Sequence, residues 1–98
     1  MNHIREVLDK YEKRIPRLTV KTFEEQGDVL QTYVLLEGDK DALRFLGEVI
    51  LAFVDSEAGC NWDIHPKGPG NIYFEAGSTL GIYLHALPCD LHPDNKVR

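Results

Sequence analysis

The sequence predicts an α+β fold of two layers: a mainly antiparallel sheet of about five strands with two helices packed on one face. Two apolar stripes at helical spacing and several short segments of period-two alternation carry that prediction, together with their order, α-β-β-α-β-β-β. The first stripe is Ile4, Val7, Leu8, Tyr11 and Ile15, with Arg5, Glu6, Asp9, Lys10, Lys13 and Arg14 elsewhere around the helix, which gives a helix over about residues 3–14. Pro16 ends it, because the residue before a proline is pushed out of the helical region.

Leu18 to Glu25 reads as a strand, Gln26-Gly27-Asp28 as a turn, and Val29 to Leu36 as a second strand rich in β-formers, so the two make a hairpin. Gly38-Asp39 closes it, and Asp39 is a good N-cap for a helix from Lys40 to about Val54, some 22 Å long at about 1.5 Å per residue. Arg44 and Glu48 mark a solvent face that Leu51 and Ala52 continue as apolar, so this helix needs cover on more than one side. Three further extended segments follow, Asn61–His65, Asn71–Glu75 and Thr79–Ala86, with Trp62, Ile64, Ile72, Phe74, Leu80, Ile82 and Leu84 on the core parity.

The 98 residues are 43% hydrophobic and 28% charged with a net charge of −5, which fits one globular domain over residues 1–98 and not a disordered chain. Residues 1–17 are its N-terminal helical part and 87–98 an irregular tail set by Pro88 and Pro93. No signal-peptide pattern opens the sequence, the apolar run from Val49 to Val54 is far too short to span a bilayer, and two cysteines do not make a disulfide scaffold. A cytoplasmic chain with reduced thiols and no membrane contact is expected.

Charge is unevenly placed. Residues 1–21 carry six Lys/Arg against three acids, and residues 22–98 carry five against thirteen. An acidic body lacks the basic stripe that nucleic acid requires and suits a basic protein partner.

The parity turned away from the helices holds Asp63, His65, Tyr73, Glu75, Tyr83 and His85, which Tyr33 joins from the second strand. Tyrosine combines a large contact area with a polar tip, so this set is the expected partner-binding face. Paired aromatics also stabilise exposed sheet surfaces with no partner at all. Cys60, His65, His85, Cys89 and His92 are zinc-type ligands, but four extended residues would carry Cys89 about 13 Å from His85, and only a tight turn through Ala86-Leu87-Pro88 would join them. No metal site is therefore expected. Lys67-Gly68-Pro69-Gly70 lacks the Gly-Lys-Ser/Thr ending of a phosphate loop, and Ser78 lacks a nucleophile elbow, so no cofactor and no catalytic residue is assigned.

The stretch from Val34 through Glu37-Gly38-Asp39 to Leu46, followed by the apolar helix, resembles small immunity proteins of bacterial polymorphic toxin systems. Gly77-Ser78-Thr79-Leu80-Gly81-Ile82-Tyr83-Leu84-His85 is similar to the closing strand of such domains, and the resemblance covers residues 18–86. It implies a cytoplasmic, non-catalytic protein that binds and neutralises one toxin domain. The alternative is a small ligand- or metal-binding protein, or a minor enzyme, using His65, His85 and Cys89. Homodimerisation through the face of Leu51 or a free strand edge is a third expectation.

Overall fold

The computed structural model describes residues 3–56 and 59–89. Helix α1 spans His3–Glu12, strands β1 and β2 span Thr19–Glu25 and Gln31–Glu37, helix α2 spans Lys40–Asp55, and strands β3 and β4 span Asn61–Ile64 and Ile82–His85, with a single 3-10 turn at Asn71–Tyr73. The class is α+β as expected, but the single five-stranded sheet is not present. Instead β1 pairs with β2, and β3 pairs with β4, in two separate two-stranded antiparallel sheets.

Helix α1 stops at Glu12 because the N–H groups of Arg14 and Ile15 both turn back to the Tyr11 carbonyl, each at 3.1 Å. Ile15 then sits at φ 50°, left-handed and uncommon for a β-branched residue. It is 53% exposed, so the fifth member of the expected stripe lies outside the helix and outside the core. In α2 the Asp39 carboxylate accepts the Ala42 N–H at 2.8 Å, as an N-cap should. Ala42, Phe45, Leu46, Val49, Ala52 and Phe53 turn inward, whereas Leu43, Leu51 and Val54 stay exposed; Ala52 is thus a core residue and not part of the outer face.

The main core joins Tyr11 of α1, Leu18 and Val20 at the start of the hairpin, four residues of α2, and Ile64, Tyr73 and Phe74. A smaller cluster of Ile4, Ala52 and Phe53 extends it along the helix pair. Trp62, Ile82 and Leu84 of the second sheet and Leu80 just before it pack against the main core, as their parity predicts, but Ile72 is 53% exposed.

Local hydrogen bonds explain why no central strand forms at Asn71–Glu75. The N–H of Asn71 goes to the Gly68 carbonyl, that of Tyr73 to Gly70, that of Phe74 to Asn71 and that of Ser78 to Glu75. Groups committed to turns of three residues are not free for a ladder. What remains of the expected strand is one parallel bridge, Leu18 to Phe74, with bonds from Leu18 N–H to Tyr73 and from Glu75 N–H to Leu18. Beyond it the buried Ser78 hydroxyl accepts the Val20 N–H at 2.6 Å, and the Thr79 and Leu80 N–H groups both reach the Val20 carbonyl. The edge of β1 is therefore closed by a loop and a serine, not by a strand.

The ion pair of Lys10 with Glu48 ties the helices together. Lys10 of α1 lies 3.0 Å from Glu48 of α2, which also accepts the Tyr11 hydroxyl at 2.9 Å. The Lys10 ammonium, helped by that hydroxyl, holds the Glu48 carboxyl below its ordinary value against the opposing effect of burial. Burial first, and then the bond to Glu48, pushes the Tyr11 phenol up. A carboxylate with a depressed folded value contributes stability above its unfolded value, about 4.3, and loses it as the pH falls through the folded one. Wild type should therefore be more stable than Glu48→Gln at neutral pH, and the gap should close as the pH is lowered past 4; urea titrations at several pH values measure it. A gap that is the same at pH 7 and pH 3 would contradict the role of this carboxylate.

Candidate functional site

The seven residues expected on one outer face are not on one surface, because the sheet that would have carried them is split. Asp63 and Tyr83 are cross-strand partners on the exposed side of the β3–β4 ribbon, and they line a shallow depression together with His65. The Asn61 amide donates to the Tyr83 hydroxyl at 2.8 Å, and His65 Nδ1 accepts the Lys67 N–H at 3.1 Å, so both rings are held in place. Glu75 is half-buried and lies 3.3 Å from Arg17, a pair open to water and weak for that reason.

Tyr73 is a correction. It is 6% exposed, stacks on Phe45 with ring centroids 4.7 Å apart, and its hydroxyl donates to the Leu8 carbonyl at 3.0 Å. Burial, and then the carboxylates of Glu12 and Asp9, pushes its phenol up. Alternating parity puts Tyr73 outside only if residues 71–75 are extended; in the 3-10 turn at Asn71–Tyr73 neighbouring side chains do not alternate.

Tyr33 is exposed, but on the other sheet. It lies opposite Phe23 in the β1–β2 register, and the two rings stack at 5.2 Å with 23° between their planes. Every residue from Thr22 to Val34 is exposed, so this hairpin stands out from the body with both faces in water. The radius of gyration, 14.8 Å against about 13 Å for a compact chain of this size, reflects that projection. Between Thr19 and Glu37 the hairpin carries one lysine, Lys21, and four acids, Glu24, Glu25, Asp28 and Glu37. Phe23 was missed as a site residue, although the position of the Gln26-Gly27-Asp28 turn already set it near Tyr33.

The second correction concerns the cysteines. Cys60 and Cys89 are joined in a disulfide with Cα atoms 6.0 Å apart, not held apart as reduced thiols. The chain bends at Leu87 and Pro88, as the sequence requires if the two ends are to meet, and the distance objection falls away. One ligand atom each from Cys60, His85 and Cys89 lies within 4.8 Å of the others. His65, on the exposed side of the ribbon, is not in this group, and His92 lies outside the described residues. The Ala86 N–H bonds the Cys60 carbonyl at 2.8 Å and His85 pairs with Asn61, so the strand ladder brings the backbones of Cys60 and His85 close together.

Among the described residues no helix is long and apolar enough to cross a membrane. No protein-family model, no curated protein and no solved structure matches the chain.

Proposed function

We propose that this chain is a non-catalytic protein-binding module that takes a basic protein partner on the β1–β2 hairpin. The observation that carries the proposal is the hairpin's exposure: a two-stranded ribbon with both faces in water is marginally stable by itself and gains from a surface that covers it. Its stacked Phe23 and Tyr33 supply the rigid aromatic contact typical of binding hot spots, and its excess of acids supplies attraction to a basic surface. A toxin domain neutralised by an immunity protein is one partner of this class.

Recovery of partners from the native source, with wild type and a Phe23→Ala/Tyr33→Ala variant side by side, tests the proposal. A stoichiometric basic protein should be retained by wild type, released by added salt, and bound on the order of 30-fold more weakly by the variant, as for loss of a hot spot worth about 2 kcal/mol. The variant itself should lose no more than about 1 kcal/mol of stability, the worth of an exposed cross-strand pair. Equal retention by both proteins would overturn the proposal, as would a wild-type dimer in solution that the Phe23→Ala/Tyr33→Ala variant no longer forms.

A further inference from the structure

From the convergence of two sulfurs and an imidazole we infer that Cys60, His85 and Cys89 form a redox-gated zinc site, closed as a disulfide and opened to the metal by reduction. This site involves neither the β1–β2 hairpin nor a protein partner.

Three features support it. Thiolate and imidazole are the preferred ligands of Zn²⁺, at about 2.3 Å and 2.0–2.1 Å from the ion, and donors bound to one tetrahedral centre stand about 3.5–4 Å apart. Donor atoms already within 4.8 Å of one another need only small side-chain rotations to meet that spacing once the sulfur–sulfur bond is broken. The three donors also come from a framed position. Cys60 directly precedes β3, His85 ends β4, the ladder pairs Asn61 with His85, and Ala86 is bonded to the Cys60 carbonyl, so two of the three ligands are fixed by backbone contacts that do not involve the disulfide. Finally, Cys60 is buried and His85 and Cys89 are half-buried, which limits the access of competing water to the centre.

The chemistry balances in two steps. A dithiol reductant gives two electrons and two protons to the Cys60–Cys89 bond and becomes a disulfide itself. The two protein thiols then lose their protons to solvent as the sulfurs bind one Zn²⁺, with the neutral His85 ring donating a nitrogen lone pair. Three protein donors leave the fourth position of the tetrahedron to a water or a further ligand. The segment after β4 is thus held against the start of β3 in both states, by the Cys60–Cys89 bond in one and by the metal on all three residues in the other.

Untagged full-length protein, oxidised or reduced with a phosphine under argon, should be titrated with Zn²⁺ and with Co²⁺ as a spectroscopic stand-in. The reduced protein should bind one equivalent and show the thiolate-to-cobalt charge-transfer band, and the oxidised protein should show neither. His85→Ala should weaken binding to the reduced protein at least tenfold, while His65→Ala should leave it unchanged. Far-UV circular dichroism accompanies each titration: if the reduced protein or a variant loses structure, added Zn²⁺ should restore it in wild type and not in Cys60→Ser/Cys89→Ser. Less than about a tenth of an equivalent bound to reduced wild type overturns the inference. So does equal uptake by the oxidised form, or an affinity that His85→Ala does not change.

Discussion

Phe45→Ala is expected to remove about 3–5 kcal/mol of unfolding free energy, the usual cost of truncating a buried phenylalanine. Phe45 is fully buried at the centre of the main core. Its ring stacks on Tyr73 and meets the edge of Tyr11 at 5.3 Å and 65°, so one side chain links α1, α2 and the 3-10 turn. Aromatic pairs of this geometry add roughly 0.5–1.5 kcal/mol each beyond area burial, and the alanine variant forfeits both as well as leaving a cavity. Since a domain of this size has a total stability of about 5–15 kcal/mol, the melting temperature should fall by on the order of 15–30 °C. Urea denaturation at neutral pH gives the free-energy change, and a loss below about 1 kcal/mol would mean that the three-ring cluster does not hold the elements together.

The second large effect is expected at Gly70→Ala, which should cost about 2–4 kcal/mol from two independent sources. Gly70 has φ 81°, in the left-handed region, where a residue with a Cβ pays roughly 1–2 kcal/mol. A Cβ there would also run into the side chain of Ile64, with the Ile64 Cβ only 2.7 Å away. Ile64 is 4% exposed and part of the main core, so it cannot swing aside without disturbing its neighbours. Gly77→Ala is the matched control: a Cβ at Gly77 meets nothing within 4 Å and its φ is not positive, so that variant should unfold within about 0.5 kcal/mol of wild type. Equal melting temperatures for the two variants would show that the Pro66–Gly70 loop is not pinned against β3.

The comparison of these two glycines shows why part of the fold was legible and part was not. Both lie in stretches that read alike as turns, and only the fold, through a left-handed φ and the position of Ile64, makes one of them indispensable. The elements with strong local signals appear where the sequence puts them. Helix α2 begins at Lys40 behind its Asp39 cap as expected and ends one residue past Val54, and the hairpin pairs across its turn, with the second strand starting two residues late at Gln31. Local propensity and capping act within a few residues of chain, so one segment carries all the information needed.

The short segments after residue 60 carry no such signal. Asn71–Glu75 alternates like a strand, yet the N–H groups of Asn71, Tyr73 and Phe74 find partners three residues away, and the alternation that assigned Tyr73 to the surface was coincidental. Of the expected partner-binding residues, Asp63, His65 and Tyr83 do share a surface, because β3 and β4 form where expected, if shorter. Tyr33 belongs to the separate hairpin and Tyr73 to the core, while His85 belongs with the cysteines.

By itself the sequence determined the α+β class, the two amphipathic helices, the hairpin and the acidic body, all of which follow from periodicity, capping and composition. Only the tertiary structure decided that the strands separate into two ribbons, that Tyr73 turns inward onto Phe45, and that Cys60, His85 and Cys89 meet. Those outcomes depend on which distant groups satisfy the edge of β1 and on how the chain bends after β4. Pairing across 29 residues, as between Cys60 and Cys89, is fixed by the sum of packing and hydrogen bonding over the whole chain and leaves no mark on the spacing of residues within it.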